Sequence, residues 1–296
     1  MPRHQRCAIL AAAAAALVGL GAAPSGQSAD QGVVYVAVMD QIGKPIVGLR
    51  PDAFHVWEGT TTRDVTAVAL AAQPPSVVII VHGMTRDDGP QDVRKAVGAV
   101  LDSLRRSQPE ARVALITEVR TPKLVGVTSG ANDLDKTASR FAMSGSNLIL
   151  LEAISDACRA LAKEPTRRRV IMVITNSLKN DGADQSADQA VAILKNAGAS
   201  LWTINYVPGS NKANLNSSMS NEKDNVLTMW TTMSGGFNDQ VFGTSPLEAA
   251  AVRMTDVILS QYEVRYSRPP GPQVSLRLGV AGTEGDRILA PRWSLK

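Results

Sequence analysis

Three histidines, His4, His55 and His82, and two cysteines, Cys7 and Cys158, are the whole supply of imidazole and thiol in this chain, and they bound the chemistry open to it. The most suggestive placement is His82-Gly83, directly after the apolar run Val77-Val78-Ile79-Ile80-Val81. That position suits an oxyanion hole for serine hydrolysis, but such chemistry also needs a Gly-x-Ser-x-Gly elbow and a histidine late in the chain. Neither occurs, so no Ser-Asp-His order is possible. A zinc site would need clustered cysteines and histidines, and those beyond the leader lie far apart. Neither Gly-x-Gly-x-x-Gly nor a Walker phosphate loop is present. Cys158, on an apolar helical stripe, reads as a small buried hydrophobe rather than a nucleophile. The expectation is a protein that is not an enzyme and carries no cofactor.

The elements that would position any site alternate along the middle of the chain. Short apolar runs at Val77–Val81, Val113–Ile116, Val170–Ile174 and Ala199–Ile204 are continuous rather than alternating, as strands buried on both faces require. Between them, 90–107, 148–163 and 184–197 have the spacing and length of crossover helices, and a last helix falls around 246–259. An α/β fold follows, a doubly wound, mostly parallel sheet with helices on both faces. The opening reads as strands at 33–38, 53–58 and 64–71, and the close as strands at 261–267, 274–280 and 287–293, so the two ends are expected to form one small β subdomain. The polar stretch 209–224 reads as a surface loop, and Gly235-Gly236 as a turn between helix and strand. The expected boundaries are 30–72 and 261–296 for the paired β segments and 73–260 for the α/β domain.

Residues 1–29 have the layout of a secretory signal peptide: Arg3 and Arg6 flank the apolar run Cys7–Leu20, and small and polar residues lead to Asp30. The run is short of the ~20 residues that a bilayer span needs, so no stable membrane span is expected after its removal. Cys158 is then alone and no internal disulfide is expected. The net charge of +4 falls to about +2 without Arg3 and Arg6, which gives no case for nucleic acid. The clusters Arg105-Arg106 and Arg167-Arg168-Arg169 read as solvated ends of helices.

Val38-Met39-Asp40-Gln41-Ile42-Gly43-Lys44-Pro45-Ile46-Val47-Gly48-Leu49, followed by Asp52-Ala53-Phe54-His55-Val56-Trp57-Glu58-Gly59, resembles the opening of the VWFA-related family of acidobacterial secreted proteins. Tyr262-Glu263-Val264-Arg265-Tyr266 is similar to that family's closing strand. The resemblance spans essentially the whole mature chain and implies a von Willebrand factor type A domain. In such domains a divalent cation is held by Asp-x-Ser-x-Ser after the first core strand, a Thr from a second loop and an Asp after a later strand. Here His82, Met84 and Arg86 stand at the first three positions, Asn176-Ser177 replaces the later Asp, and Gly145-Ser146-Asn147-Leu148 covers the region of the Thr.

An imidazole, a thioether and a guanidinium suit a hard cation poorly, and Arg86 would repel it. The expected site is therefore a metal-free edge made of His82, Met84, Thr85, Arg86, Ser146, Asn147, Asn176 and Ser177, either a ligand edge in which Arg86 offers a fork to a carboxylate of a protein ligand or an eroded edge that binds nothing. Asp87, Asp88 and Asp181 are the oxygen ligands from which a metal-dependent version would have to be rebuilt. The resulting expectation is a secreted, adhesion-type protein-binding module, with a structural part of the cell envelope as the alternative. The sequence specifies neither the partner nor the oligomeric state.

Overall fold

The computed structural model describes residues 31–83, 89–117, 122–140, 148–176, 187–207 and 218–295. The leader lies outside them. The chain opens with β1 (Gln31–Met39), β2 (Phe54–Glu58), β3 (Thr61–Arg63) and β4 (Val65–Leu70). It then alternates: β5 (Ser76–His82), α1 (Pro90–Ser107), β6 (Arg112–Ile116), β7 (Val125–Gly126), α2 (Ala131–Arg140), α3 (Leu150–Leu161), β8 (Arg169–Asn176), α4 (Ala187–Ala197), β9 (Ala199–Val207), α5 (Ser218–Ser234), β10 (Asn238–Phe242) and α6 (Leu247–Leu259). It closes with β11 (Tyr262–Ser267), β12 (Leu276–Val280) and β13 (Arg287–Leu289).

The central sheet runs β10-β9-β8-β5-β6-β7, parallel except for β7 at one edge. All seven residues of β5 are buried. Val77, Ile79 and Val81 join the core under α1 and α6, whereas Val78 and Ile80 join the core under α3, α4 and α5. This two-sided burial is why the strand runs are uniformly apolar. Helix α1 illustrates the other pattern: Val93, Ala96, Val97, Val100, Leu101 and Leu104 are buried, the stripe that a 3.6-residue period lays on one face.

The terminal strands form two further sheets, β13-β1-β11-β4 and β12-β2-β3, antiparallel throughout. Between them Val34, Val36, Val38, Phe54, Val56, Tyr262, Val264 and Tyr266 make a third core. Alternation along β1 sends Ala37 and Met39 the other way, into the core beneath α1 and α6, so this strand is buried by both parts of the molecule. The Asp40 carboxylate closes the following turn by accepting from Ile42 N and Lys44 N, and Gly43 takes the left-handed conformation, φ +85, that the turn requires. Tyr262 Oη accepts from Leu49 N and donates to Ile46 O, which pins the segment 46–49 to β11.

Arg168 corrects the reading of its cluster as solvated. It is 1% exposed, and it donates to Ala71 O, Gln73 O, Ile258 O and Gln261 Oε1. Those acceptors lie on the two chain crossings between the central sheet and the terminal strands, so one guanidinium ties both crossings to the start of β8. Burial lowers its pKa to about 10. Cys158 is buried on α3, and burial pushes its thiol up to about 12, as suits a packing residue.

Candidate functional site

Parallel pairing places His82 beside Thr175 and Thr175 beside Asn205, a row of polar side chains across β5, β8 and β9 at the carboxyl ends of the strands. All three are 0% exposed. Buried polar groups persist only when hydrogen-bonded, and the row is served largely by α5. Lys223 Nζ donates to Thr175 Oγ1 at 3.2 Å and to Asn176 O at 2.9 Å. His82 Nδ1 lies 3.0 Å from the same Thr175 oxygen. A hydroxyl has two lone pairs and one proton, and the ammonium, a donor only, takes one lone pair. Thr175 then meets Nδ1 with its proton or with its second lone pair. The residue after Lys223, Asp224, accepts from Asn205 Nδ2 and, at 2.7 Å, from Asn238 Nδ2, while Asn238 Oδ1 accepts from Thr203 Oγ1. Asn205 Oδ1 is buried with no hydrogen-bond donor among the described residues.

Of the sequence-predicted edge, the structure therefore describes His82 and Asn176, places them on neighbouring strands and buries both. Met84, Thr85, Arg86, Ser146, Asn147 and Ser177 lie outside the described residues, as do Asp87, Asp88 and Asp181. Lys223, Asp224, Asn205 and Asn238 were not anticipated. The first two fall in the stretch read as a loop, but α5 begins at Ser218, so only 208–217 lie outside the described residues there. Asn205 left a signal, an amide inside the run Trp202-Thr203-Ile204-Asn205-Tyr206, where a strand buried on both faces has no use for one.

The described donor set does not fit a hard divalent cation. It consists of an imidazole, a hydroxyl, amides and an ammonium, with no carboxylate from β5 or β8 and one from α5, Asp224, which is already hydrogen-bonded to Asn205 and Asn238. Mg²⁺ and Ca²⁺ require oxygen ligands, and an ammonium already hydrogen-bonded to the strand ends opposes a second positive charge. No cluster of three acidic, histidine or cysteine side chains able to hold a metal occurs among the described residues. In the same residues no helix is long and apolar enough to cross a membrane.

The architecture is thus that of a mixed α/β protein with a six-stranded, mostly parallel sheet. No protein-family model matches the sequence, and no curated protein matches it as a relative. Among solved structures it is similar to a von Willebrand factor type A protein from Catenulispora acidiphila, at 12% identity and a TM-score of 0.49, covering 90% of this chain and 75% of that one. The pilus adhesin SpaC from Lactobacillus rhamnosus GG gives 9% identity and a TM-score of 0.48 over 88% of this chain and 49% of the adhesin. The PilB minor pilin from Streptococcus sanguinis gives 10% and 0.46, over 65% of this chain and 63% of the pilin. Likenesses of this degree assign neither family nor function.

Proposed function

We propose that the protein is a secreted, non-enzymatic, adhesion-type binding module, a divergent von Willebrand A-like domain whose protein ligand meets the carboxyl edge of the central sheet without a divalent cation. Ligands of open parallel sheets gather at that edge. The observation that carries the reading is the Lys223 ammonium, hydrogen-bonded to Thr175 and to the Asn176 carbonyl at the ends of the central strands. A fixed positive charge there supplies from the chain itself what a bound cation would otherwise supply. Arg86, four residues after His82 in sequence, adds a second cation suited to a carboxylate of the partner. Secretion rests on the amino-terminal layout, and the absence of enzymatic activity on the missing nucleophile and late histidine.

The test is calorimetric titration of residues 30–296 with Mg²⁺, Mn²⁺ and Ca²⁺, paired with thermal melts. No heat and no melting shift are expected up to millimolar cation. Partner proteins captured by the mature chain are expected to stay bound in chelator and to be lost in Lys223→Met or Arg86→Ala, with the melting temperature of each variant confirming its fold. Binding of a divalent cation below millimolar concentration, or capture that needs one, would overturn the proposal.

A further inference from the structure

A second recessed surface adjoins the strand-end network at Asn238 and extends to where the end of α5 and the turn after it face β13. It is a cleft of about 330 Å³, and its walls include Thr228, Thr232, Phe237, Arg287, Leu289 and Arg292. That volume lies at the lower end of the range in which proteins bind small ligands or short peptide segments.

Its walls are held by backbone. Arg292 N donates to Met233 O at 2.9 Å, and Gly236 N to Thr231 O at 2.8 Å. The turn itself admits no side chain: a Cβ on Gly235 would lie 2.4 Å from Pro291 N, and one on Gly236 would lie 1.8 Å from Leu201 O. The cleft is therefore shaped before anything enters it, which lowers the cost of binding.

Its charge is one-sided. Arg287 and Arg292 are both exposed, and no acidic side chain lines the cleft. Neither guanidinium has an ion pair among the described residues, whereas eight other arginines, Arg63 and Arg268 among them, do. Arg106, Arg140, Arg167, Arg168, Arg169 and Arg277 share the lack of one, so the pair stands out by its place in the cleft. Arg287 lies over the Phe237 ring, its guanidinium carbon 5.0 Å from the ring centre, a cation–π contact that restrains the side chain at the cleft wall. β13 is the last strand of its sheet, and no described strand lies on its far side. A free strand edge beside two unpaired forks suits an extended chain bearing carboxylates.

We infer that this cleft binds an extended acidic segment of a partner protein, its carboxylates on Arg287 and Arg292 and its backbone along the edge of β13. The charged contacts of this cleft, Arg287 and Arg292, are not part of the strand-end row, so the two proposals fail separately.

The experiment is fluorescence anisotropy of the mature chain with a labelled twelve-residue peptide alternating Glu with Val and Thr. Controls are the same peptide with Gln for Glu and a single-stranded oligonucleotide of equal charge. The acidic peptide is expected to bind, more weakly as salt rises, and the Gln peptide at least about tenfold more weakly. Arg287→Gln and Arg292→Gln are each expected to cost about tenfold in affinity while leaving the melting temperature unchanged, since both side chains are exposed. The charge-reversed pair Arg287→Glu with Arg292→Glu should prefer a Lys peptide, and Lys223→Met should change nothing. Equal binding of the Glu and Gln peptides, or wild-type affinity in the Gln variants, would overturn the inference. Tighter binding of the oligonucleotide would replace the peptide with a phosphodiester ligand and overturn it too.

Discussion

Replacing Arg168 separates the value of its charge from the value of its hydrogen bonds. Burial holds the guanidinium pKa at about 10 instead of 12.5, so carrying the charge inside the fold costs about 3 kcal/mol. Against this stand the four acceptors, of which three belong to buried residues; Ile258 O keeps a bond from Gln261 N, so Ala71 O and Gln261 Oε1 are the two that would be orphaned. Leaving each of these unsatisfied costs about 1–3 kcal/mol. Arg168→Met removes the charge and its cost but orphans the acceptors, a net loss of about 1 kcal/mol. Arg168→Lys keeps the buried charge yet has no planar fork to reach all four acceptors, and is expected to lose about 3 kcal/mol or more. Arg168→Ala adds the cavity of a long side chain and should fall about 2–3 kcal/mol below the Met variant. Urea unfolding at pH 7, followed by tryptophan fluorescence, ranks the three. The counterintuitive term is the conservative one: if Lys is tolerated as well as Met, the fork is not what holds the crossings, and the reasoning is wrong.

Two further outcomes follow from the same interior. The Cys158 thiol titrates near pH 9 when unfolded and at about 12 when folded, so the unfolded state loses its proton first and stability falls as pH rises above 9, by about 1.4 kcal/mol at pH 10. Urea midpoints at pH 8 and pH 10 should show that drop in the wild type and a smaller one in Cys158→Ala; an equal drop in both would refute the assignment. Gly236→Ala drives a methyl group into the Leu201 carbonyl and should cost about 3 kcal/mol or more, read as a fall in melting temperature, whereas an unchanged melt would show that the turn has room.

The parts legible in the sequence are those governed by a repeating pattern. The runs through Val77, Val170 and Ala199 are β-branched or apolar on both faces because both faces are covered, and they became β5, β8 and β9. The helical stripe from Val93 to Leu104 reappeared as α1, with Pro90 and Ser107 at its ends as expected. The start of α5 was hidden for the opposite reason. Lys223 and Asp224 turn toward polar strand ends rather than apolar core, so no hydrophobic period announces their helix, and the buried positions Leu227 and Trp230 come only later. Arg168 was misread because local charge carries no information about carbonyls nearly a hundred residues away. The strand-end row is equally non-local. His82 meets Thr175 across 93 residues, and only the sheet's register brings them side by side.

β1 has a consequence for how the chain reaches its native state. It pairs with β11 and β13 and lies between two cores, yet it is made more than two hundred residues before either partner strand. Phe54 and Val56, with which Val34, Val36 and Val38 share a core, are made soon after β1, but both of its hydrogen-bonded neighbours are missing until the chain reaches β11 and β13. The central sheet, whose strands follow one another closely, can close first. The terminal sheet must wait for β11 and β13, leaving a nascent β-edge that a chaperone can hold.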